Sequence, residues 1–200
     1  MPILPSCVAR LVQPIDRGVR VPDSGRGFYV LELMVTVAIA AILLVIGVPA
    51  FQDFGARQRM SAAMHALHGE LALARNAAIR HGTAVVACPG EPDTGCRAGS
   101  DWSEGWFVFS DFNGDRAFQA GERVHRVEPG LEQIVIRSSS GRQSLRFFPN
   151  GSAPGSNTSI TFCDRRGPAA ARKLVISNLG RIRREEAPDT DPADCPAPPG

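Results

Sequence analysis

One uninterrupted apolar segment constrains the fold of this chain more than any other feature of its sequence. From Leu33 to Phe51 there are 19 residues without a charged side chain, which is enough for a helix to cross the hydrocarbon core of a bilayer. Glu32 lies at the start of that segment. A carboxylate at the centre of a membrane helix costs about 2.5–3.5 kcal/mol, and less near its end. We therefore expect the Glu32 carboxylate to have a partner.

Two ordinary interpretations leave Glu32 unexplained. A secretory signal would have basic residues before its apolar part, as this chain does, but no small-residue cleavage site closes the segment. The text after Pro49, "AFQDFGARQRM", continues instead with a helical pattern. A plain membrane anchor with its basic side in the cytoplasm accounts for the hydropathy, but it gives the carboxylate no role.

The text around Glu32, "GFYVLEL", resembles the class III signal of type IV pilins and type II secretion pseudopilins. The glycine, the aromatic residue, the glutamate and the apolar run all occur in register. The resemblance implies that a prepilin peptidase removes residues 1–27 after Gly27 and methylates Phe28. It also implies that the ammonium group of Phe28 in a neighbouring subunit neutralises Glu32 as subunits stack. Pro49 falls where many such pilins have a helix-breaking proline.

The helical pattern continues beyond the apolar segment. Apolar residues recur at spacings of three and four, or small multiples of these, at Phe51, Phe54, Met64, Leu67, Leu71, Ala74 and Ala78. This pattern predicts one helix from Phe28 to about Arg80. The pair His81-Gly82 is a good stop, because glycine accepts the left-handed conformation that ends many helices.

Beyond Gly82 the pattern changes to short β-type runs separated by turn residues. We predict seven strands, at 83–88, 106–111, 123–127, 133–138, 144–148, 159–163 and 173–177. The predicted fold class is α+β, with a long N-terminal helix packed on an all-antiparallel β-sheet domain, as in pilins. The predicted parts of the mature chain are a membrane or filament-core half of the helix (28–54), a periplasmic head (55–184) and an acidic, Pro-rich tail without regular structure (185–200).

The cysteines predict disulfides in an oxidising compartment. If the leader that carries Cys7 is removed, an even set of four remains beyond the membrane segment. Their spacing does not resemble a zinc site. Four cysteines permit three connectivities. We choose Cys88–Cys96, which closes a local loop, and Cys163–Cys195, which holds the tail against the last strands.

The segment 111–122, "DFNGDRAFQAGE", partly matches an EF-hand calcium loop. Suitable ligands occupy positions one, three, five and twelve of such a loop: Asp111, Asn113, Asp115 and Glu122. However, position six is Arg116 instead of glycine, and strands flank the segment. A hairpin with an Asn-Gly turn explains the same residues, so calcium remains an alternative only. No catalytic motif such as Gly-x-Ser-x-Gly occurs, and we predict no enzyme, no metal site and no cofactor.

The basic residues are concentrated near the C-terminus. The formal net charge is only +2, but the segment 165–184 has seven basic residues and no acidic one: Arg165, Arg166, Arg172, Lys173, Arg181, Arg183 and Arg184. "KLVISNLGRIRR" predicts a strand, a turn at 178–180 and an extended segment with Arg181 and Arg183 on one face. Two guanidinium groups about 7 Å apart suit successive phosphates. The alternative is a solvated basic edge that prevents aggregation or pairs with the acidic tail.

The mature chain as a whole resembles the FimT/FimU and pseudopilin H family. The resemblance lies in the helix, "WFVFSDFNGD", "FFPNG", "FCD" and a terminal Cys-Pro. Within that family, FimT-type minor pilins have a Gly-Arg-x-Arg motif in a C-terminal loop that contacts DNA during natural transformation. Gly180-Arg181-Ile182-Arg183 matches this motif residue by residue. The resemblance implies that Arg181 and Arg183 contact phosphates, and that five further residues extend the surface: Arg184, Arg172, Lys173, Arg165 and Arg166.

The resemblance also implies a location and a set of partners. Before assembly the chain would cross the inner membrane once, and its membrane segment would contact lipid. Its C-terminal domain would lie in the periplasm. Afterwards it would lie in an extracellular pilus or a periplasmic pseudopilus. Its partners would be double-stranded DNA, other pilins, the prepilin peptidase and the inner-membrane assembly platform. The alternative is a structural minor pilin or an H-type pseudopilin that primes filament assembly without binding DNA.

Overall fold

The computed structural model describes residues 30–198, so the predicted leader, Gly27 and Phe28 lie outside the described residues. Helix α1 runs from Val30 to His81, and the strands follow it. The described residues divide between two units, with the boundary between Val45 and Ile46. All the strands belong to the second unit.

The N-terminal part of α1 is apolar and exposed. A window of 18 residues in this helix has a mean hydropathy of 2.7, and none of it is buried. Thr36, a polar residue inside the run, donates from Oγ1 to the carbonyl oxygen of Leu33 at 2.9 Å, which satisfies its hydroxyl without water. Pro49 lies inside α1, which is continuous through it. By length and composition, α1 can cross a membrane.

The C-terminal part of α1 supplies one side of the core. Its buried positions are three or four residues apart in most cases, and so lie on one face: Ala56, Met60, Ala63, Met64, Leu67, Glu70, Leu71, Ala74, Ala77 and Ala78. Five of the apolar positions predicted from the sequence are among them. Phe51 and Phe54 are not, being 76% and 55% exposed, because burial on the helix begins only at Ala56.

Within residues 30–198, nine strands form two antiparallel sheets that pack on α1. They are β1 Ala84–Glu91, β2 Gly95–Cys96, β3 Gly105–Asp111, β4 Val124–Pro129, β5 Val135–Ser138, β6 Leu145–Phe147, β7 Thr158–Cys163, β8 Arg172–Ile176 and β9 Ile182–Glu186. The first sheet has the order β2-β1-β3-β4, with β6 also paired to β1, and the second has the order β5-β7-β8-β9. The predicted α+β fold is confirmed, and each of the seven predicted strands is present. Strands β2 and β9 were not predicted.

The two sheets share one hydrophobic core with the helix. Leu67 and Leu71 of α1 pack in it with Val108 of the first sheet and with Ile160 and Leu174 of the second. Burial of each such side chain contributes about 1.5–3 kcal/mol. This shared core fixes the strands of both sheets, and the loops between them, relative to the C-terminal half of α1.

Both disulfides predicted from the sequence are present, Cys88–Cys96 and Cys163–Cys195. The tail is more ordered than predicted, because β9 continues through Glu186, two residues past the predicted boundary at 184. Glu185 and Glu186 lie opposite Lys173 and Arg172 of β8. These acidic residues therefore extend the strand by pairing across the sheet.

His125 of β4 makes the stability of the fold sensitive to acid. Its ring stacks on that of His81 at a centroid distance of 5.6 Å. Burial lowers the pKa of His125, and the charges of Arg123, His81 and Arg80 lower it further. The folded-state pKa therefore lies below the value of about 6.5 for an unfolded histidine. As the pH falls below about 6.5, the unfolded chain binds a proton at this histidine before the folded chain does. The free energy of unfolding therefore falls until the pH has passed the folded-state pKa of His125.

We expect the melting temperature to fall less on acidification in His125→Gln than in the wild type, because glutamine has no proton to take up. The measurement is thermal unfolding of the full chain in detergent from about pH 7.5 to about pH 5. Equal declines in the two proteins would contradict this role of His125.

Candidate nucleic-acid interface

The Gly-Arg-x-Arg segment begins in the turn between β8 and β9, which contains Gly180 and Arg181, and continues into β9 with Ile182 and Arg183. The amide of Ser177 donates to the carbonyl oxygen of Arg181 at 3.0 Å, and the amide of Gly180 donates to the carbonyl oxygen of Ser177 at 2.8 Å. These bonds close a tight turn whose outermost residue, Leu179, is 79% exposed. The turn predicted at 178–180 is present.

Gly180 is the position in this turn that requires glycine. It has a φ of +73°, which side chains rarely adopt. A Cβ atom there would overlap the carbonyl oxygen of Gly151 and would lie 3.1 Å from Nε of Arg75. Arg75 donates from Nε to that same carbonyl oxygen at 2.8 Å. The turn is also bound to its neighbour by the amide of Ala153, which donates to the carbonyl oxygen of Asn178 at 2.8 Å.

Arg75 is a supporting residue that the sequence did not indicate. It lies on α1, 76 residues before Gly151, and no local pattern distinguishes it from other helix arginines. Its guanidinium group joins the helix to both the 148–153 segment and the turn. The position of the Gly-Arg-x-Arg segment is therefore fixed from three directions: by α1, by the neighbouring loop and by the β8–β9 pairing.

Arg181 and Arg183 lie on the side of the hairpin away from the core. Ile182 between them packs against the core cluster, and side chains alternate along an extended chain. Both arginines are exposed. Arg183 lies 3.6 Å from Glu185, whereas Arg181 makes no ion pair with any of residues 30–198.

The five other basic residues of the predicted surface all have partners within the chain. These pairs are Arg165–Asp53, Arg166–Asp164, Arg172–Glu186, Lys173–Glu185 and Arg184–His65. The closest is Arg166–Asp164 at 2.6 Å, whose carboxylate is buried. The other ion pairs are at least partly exposed, and such pairs contribute about 0–1 kcal/mol each. A polyanion can compete for those arginines more readily than for Arg166.

The predicted basic residues form a long strip instead of one compact patch. Arg75 of α1 contacts the turn at Gly180, while Asp53 of α1 contacts Arg165. The helix rises about 33 Å between these two contact positions, at about 1.5 Å per residue. Arg181 therefore lies near the end of the head formed by the C-terminus of α1, and Arg165 lies near the apolar segment.

Three of the predicted arginines face a different surface from Arg181 and Arg183. They line a cavity of about 590 Å³ between α1 and β9, whose residues include Arg57, Met60, Met64, His65, Arg166, Arg172 and Arg184. The guanidinium of Arg184 lies 3.1 Å from both ring nitrogens of His65. Burial lowers the pKa of nearby His68, and the charge of Arg184 lowers it further. The strip thus has an outer face and a face directed at the helix.

The carboxylates of the loop 111–122 accept hydrogen bonds from backbone amides of the same loop. Asp111 accepts from the amides of Gly114 and Arg116 at 2.7 and 3.3 Å. Asp115 accepts from the amide of Ala117 at 2.7 Å. The guanidinium of Arg146 lies 3.5 Å from Asp111. Within residues 30–198, no group of three or more histidine, cysteine or acidic side chains is arranged to hold a metal ion.

We expect calcium to leave the melting temperature of the full chain unchanged, because amides and Arg146 already occupy the carboxylates that would bind it. The measurement is thermal unfolding in calcium and in a chelator, for the wild type and for Asp115→Ala. A rise in the wild type with calcium that Asp115→Ala lacks would contradict this expectation and restore the calcium alternative.

Comparison with known proteins gives one family and one fold. The family described as "Type II transport protein GspH" matches residues 63–180, more than half of the chain. The match ends at Gly180, so Arg181 and Arg183 lie outside it. None of the curated protein sequences matches the chain.

Two crystal structures of the type IV minor pilin FimU from Pseudomonas aeruginosa have a similar fold. The first, in space group P21, has a TM-score of 0.53 and 21% identity, and the alignment covers 66% of this chain and 92% of that one. The second, in space group P65, has a TM-score of 0.50 and 21% identity, with 62% and 91% covered. At this level of identity the likeness concerns the fold alone.

Proposed function

The chain belongs to the GspH family of type II transport proteins, and from that premise we propose that it is a minor type IV pilin that binds double-stranded DNA for uptake in natural transformation. The observation that carries the proposal is the turn between β8 and β9. Its backbone is held by Gly180 and Arg75, and it presents two exposed guanidinium groups on one face, at Arg181 and Arg183. Other proteins bind phosphate through the same rigid donor fork.

The binding mode follows from the chemistry of those two residues. At about 3.3 Å per residue, their Cα atoms are about 7 Å apart along an extended chain, which suits neighbouring phosphates of one strand. Phosphate contacts position a duplex but do not distinguish bases, so binding is non-specific. A single subunit binds weakly, at about 10⁻⁴–10⁻⁶ M, and several subunits of a filament add avidity. Arg184, Arg172, Lys173, Arg165 and Arg166 extend the strip along the head.

The exposed apolar part of α1 supports the proposed assembly route. Before assembly this segment crosses the inner membrane, in contact with lipid, and the head lies in the periplasm. A prepilin peptidase cleaves after Gly27 and methylates Phe28. The assembly platform then transfers the chain into a filament, where the ammonium of Phe28 in one subunit pairs with Glu32 of the next. Its neighbours there are other pilins.

A second candidate function is a purely structural subunit: a minor pilin or an H-type pseudopilin that primes assembly. One observation favours it, namely that six of the seven basic residues, all except Arg181, already have partners within residues 30–198. On this account the strip is surface charge that keeps the edge strand β9 from aggregating. The two candidates differ in whether the turn is required for DNA capture.

The test is a titration of the full chain in detergent with double-stranded DNA over a series of salt concentrations. Each phosphate contact contributes about −0.9 to the slope of log K against log salt. Two contacts therefore give a slope of about −1.8 or steeper. Binding too weak to detect at low salt would contradict the proposal and favour the structural subunit.

A further inference from the structure

A second group of arginines lies beside the β8–β9 turn, on loops that the sequence does not connect with it. Arg116 is in the loop after β3, and Arg142 is in the turn before β6. They line a polar cavity of about 370 Å³ together with Arg97, which pairs with Glu104, and with Asp115. No predicted function uses these residues.

The cations of this group are crowded. Among residues 30–198, neither Arg116 nor Arg142 forms an ion pair. Burial lowers the pKa of Arg116, and the charges of Arg146 and Arg142 lower it further, whereas Asp111 raises it. Arg146 lies 3.5 Å from Asp111, which already holds that carboxylate. An anion placed at Arg116 and Arg142 would relieve the repulsion between the arginines.

The backbone at Arg116 is held in an unfavourable conformation. Its φ is +66°, a left-handed conformation that is unfavourable for a non-glycine residue. The side chain of Asp111 maintains it, since Oδ2 accepts from the Arg116 amide at 3.3 Å. Strained residues of this kind concentrate at binding sites. In this backbone conformation the Arg116 side chain lines the cavity.

One short loop joins this group to the β8–β9 turn. At one end, the carbonyl oxygen of Gly151 accepts from Arg75 and lies against Gly180. At the other end, the carbonyl oxygen of Gly155 accepts from Nη1 of Arg142 at 2.7 Å. A Cβ atom on Gly155 would lie 3.7 Å from Nη2 of Arg116. The two groups therefore contact residues only four positions apart.

The distance between the two groups matches a short length of duplex. Four residues span at most about 14 Å, and one DNA strand presents a phosphate every ~3.4 Å along the helix axis. The interval is therefore short enough for the backbone of one duplex to reach both groups. Both groups also lie at the C-terminal end of α1, since Gly151 faces Ile79 and Asp111 pairs with Ala84, three residues after the helix ends.

We propose that Arg116 and Arg142 form a second phosphate subsite, which binds the phosphodiester backbone of the DNA held at Arg181 and Arg183. The choice of DNA as the ligand rests on the proposed function; the anion site itself rests on the cavity and its charges. The subsite doubles the number of arginine–phosphate contacts at this end of the head from two to four. It makes the C-terminal end of α1, instead of the strip toward Arg165, the main DNA surface.

The test compares salt slopes for DNA binding by the full chain in detergent. Four contacts give the wild type a slope of about −3.6, and Arg116→Gln/Arg142→Gln reduces its magnitude by about 1.8. Arg142→Gln alone, at an exposed position, reduces it by about 0.9 and serves if the double variant folds poorly. The matched control for Arg142→Gln is Arg59→Gln, which removes one exposed charge of α1 toward the other end of the head and leaves the slope unchanged.

The outcomes separate this proposal from the proposed function. If Arg181→Gln/Arg183→Gln lowers the slope but Arg116→Gln/Arg142→Gln leaves it at the wild-type value, the second subsite is overturned and the DNA-binding turn stands. If the wild type does not bind DNA, thermal unfolding with pyrophosphate decides the anion site. A rise in melting temperature that only Arg116→Gln/Arg142→Gln abolishes supports the site, and no rise overturns it.

Discussion

The double substitution Arg181→Gln/Arg183→Gln removes most of the affinity of the full chain for double-stranded DNA. Glutamine keeps a polar side chain of similar reach but has neither the charge nor the donor fork that binds phosphate. The magnitude of the salt slope falls by about 1.8, since two phosphate contacts are lost. The fold is unchanged, because both side chains are exposed and neither packs in the core.

The single variants show which arginine contributes more. Arg183 already lies 3.6 Å from Glu185, so its removal leaves an acidic group near the ligand as well as removing a contact. Arg181→Gln is the simpler test, because Arg181 makes no ion pair within residues 30–198. Arg59→Gln has the same change in net charge as Arg181→Gln and is the control. If that control weakens binding as much as the Arg181 and Arg183 substitutions do, the turn has no special role.

The substitution Gly180→Ala lowers both stability and DNA binding. Alanine at a φ of +73° costs about 1–3 kcal/mol through strain alone. Its Cβ would also overlap the carbonyl oxygen of Gly151, so the turn or the loop beneath it must move. A loss of this size lowers the melting temperature by about 2–4 °C per kcal/mol in a domain of this length. DNA binding falls because Arg181 follows the displaced residue.

Gly82→Ala is the matched control for Gly180→Ala. Gly82 has a similar φ of +64°, but a Cβ there would meet no atom within 4 Å. The control therefore has the backbone strain without the overlap, and it keeps DNA binding. Equal losses of stability in the two variants, with binding intact in both, would show that the close approach to Gly151 is unimportant. Thermal unfolding and a DNA titration provide the two measurements.

The sequence predicts the elements of this fold because its periodicities are clear there. The stripe at Met64, Leu67 and Leu71 is helical, and the short β-type runs are bounded by turn residues. It fails at β9, since "IRREE" has only one apolar residue and gains its strand conformation by pairing with β8. It also fails at Phe51 and Phe54, whose spacing continues the stripe although the core begins only at Ala56.

The sequence likewise predicts some residues of the candidate site and misses others. Alternation along an extended chain was enough to place Arg181 and Arg183 on one face. Pairing with the acidic tail was one alternative from the sequence, and Arg172–Glu186 and Lys173–Glu185 are pairs of that kind. The partners of Arg165 and Arg184 could not be predicted, because Asp53 and His65 approach them only in the folded chain. Arg75, Arg116 and Arg142 were missed for the same reason, since the helix and two separate loops bring them to one end of the head. In the loop 111–122 the ligand spacing resembles that of a calcium loop, but Arg116 replaces the glycine of such a loop and belongs to the second arginine group.

The most direct test of DNA capture is made in the native host, with the Arg181→Gln/Arg183→Gln protein replacing the wild type. The measurement is uptake of labelled double-stranded DNA in cells whose filaments are counted in the same samples. We predict that uptake is lost while filament number and the amount of this subunit in filaments stay at wild-type levels. Uptake at the wild-type level in cells with normal filaments would contradict the account, and the chain would then be a structural subunit.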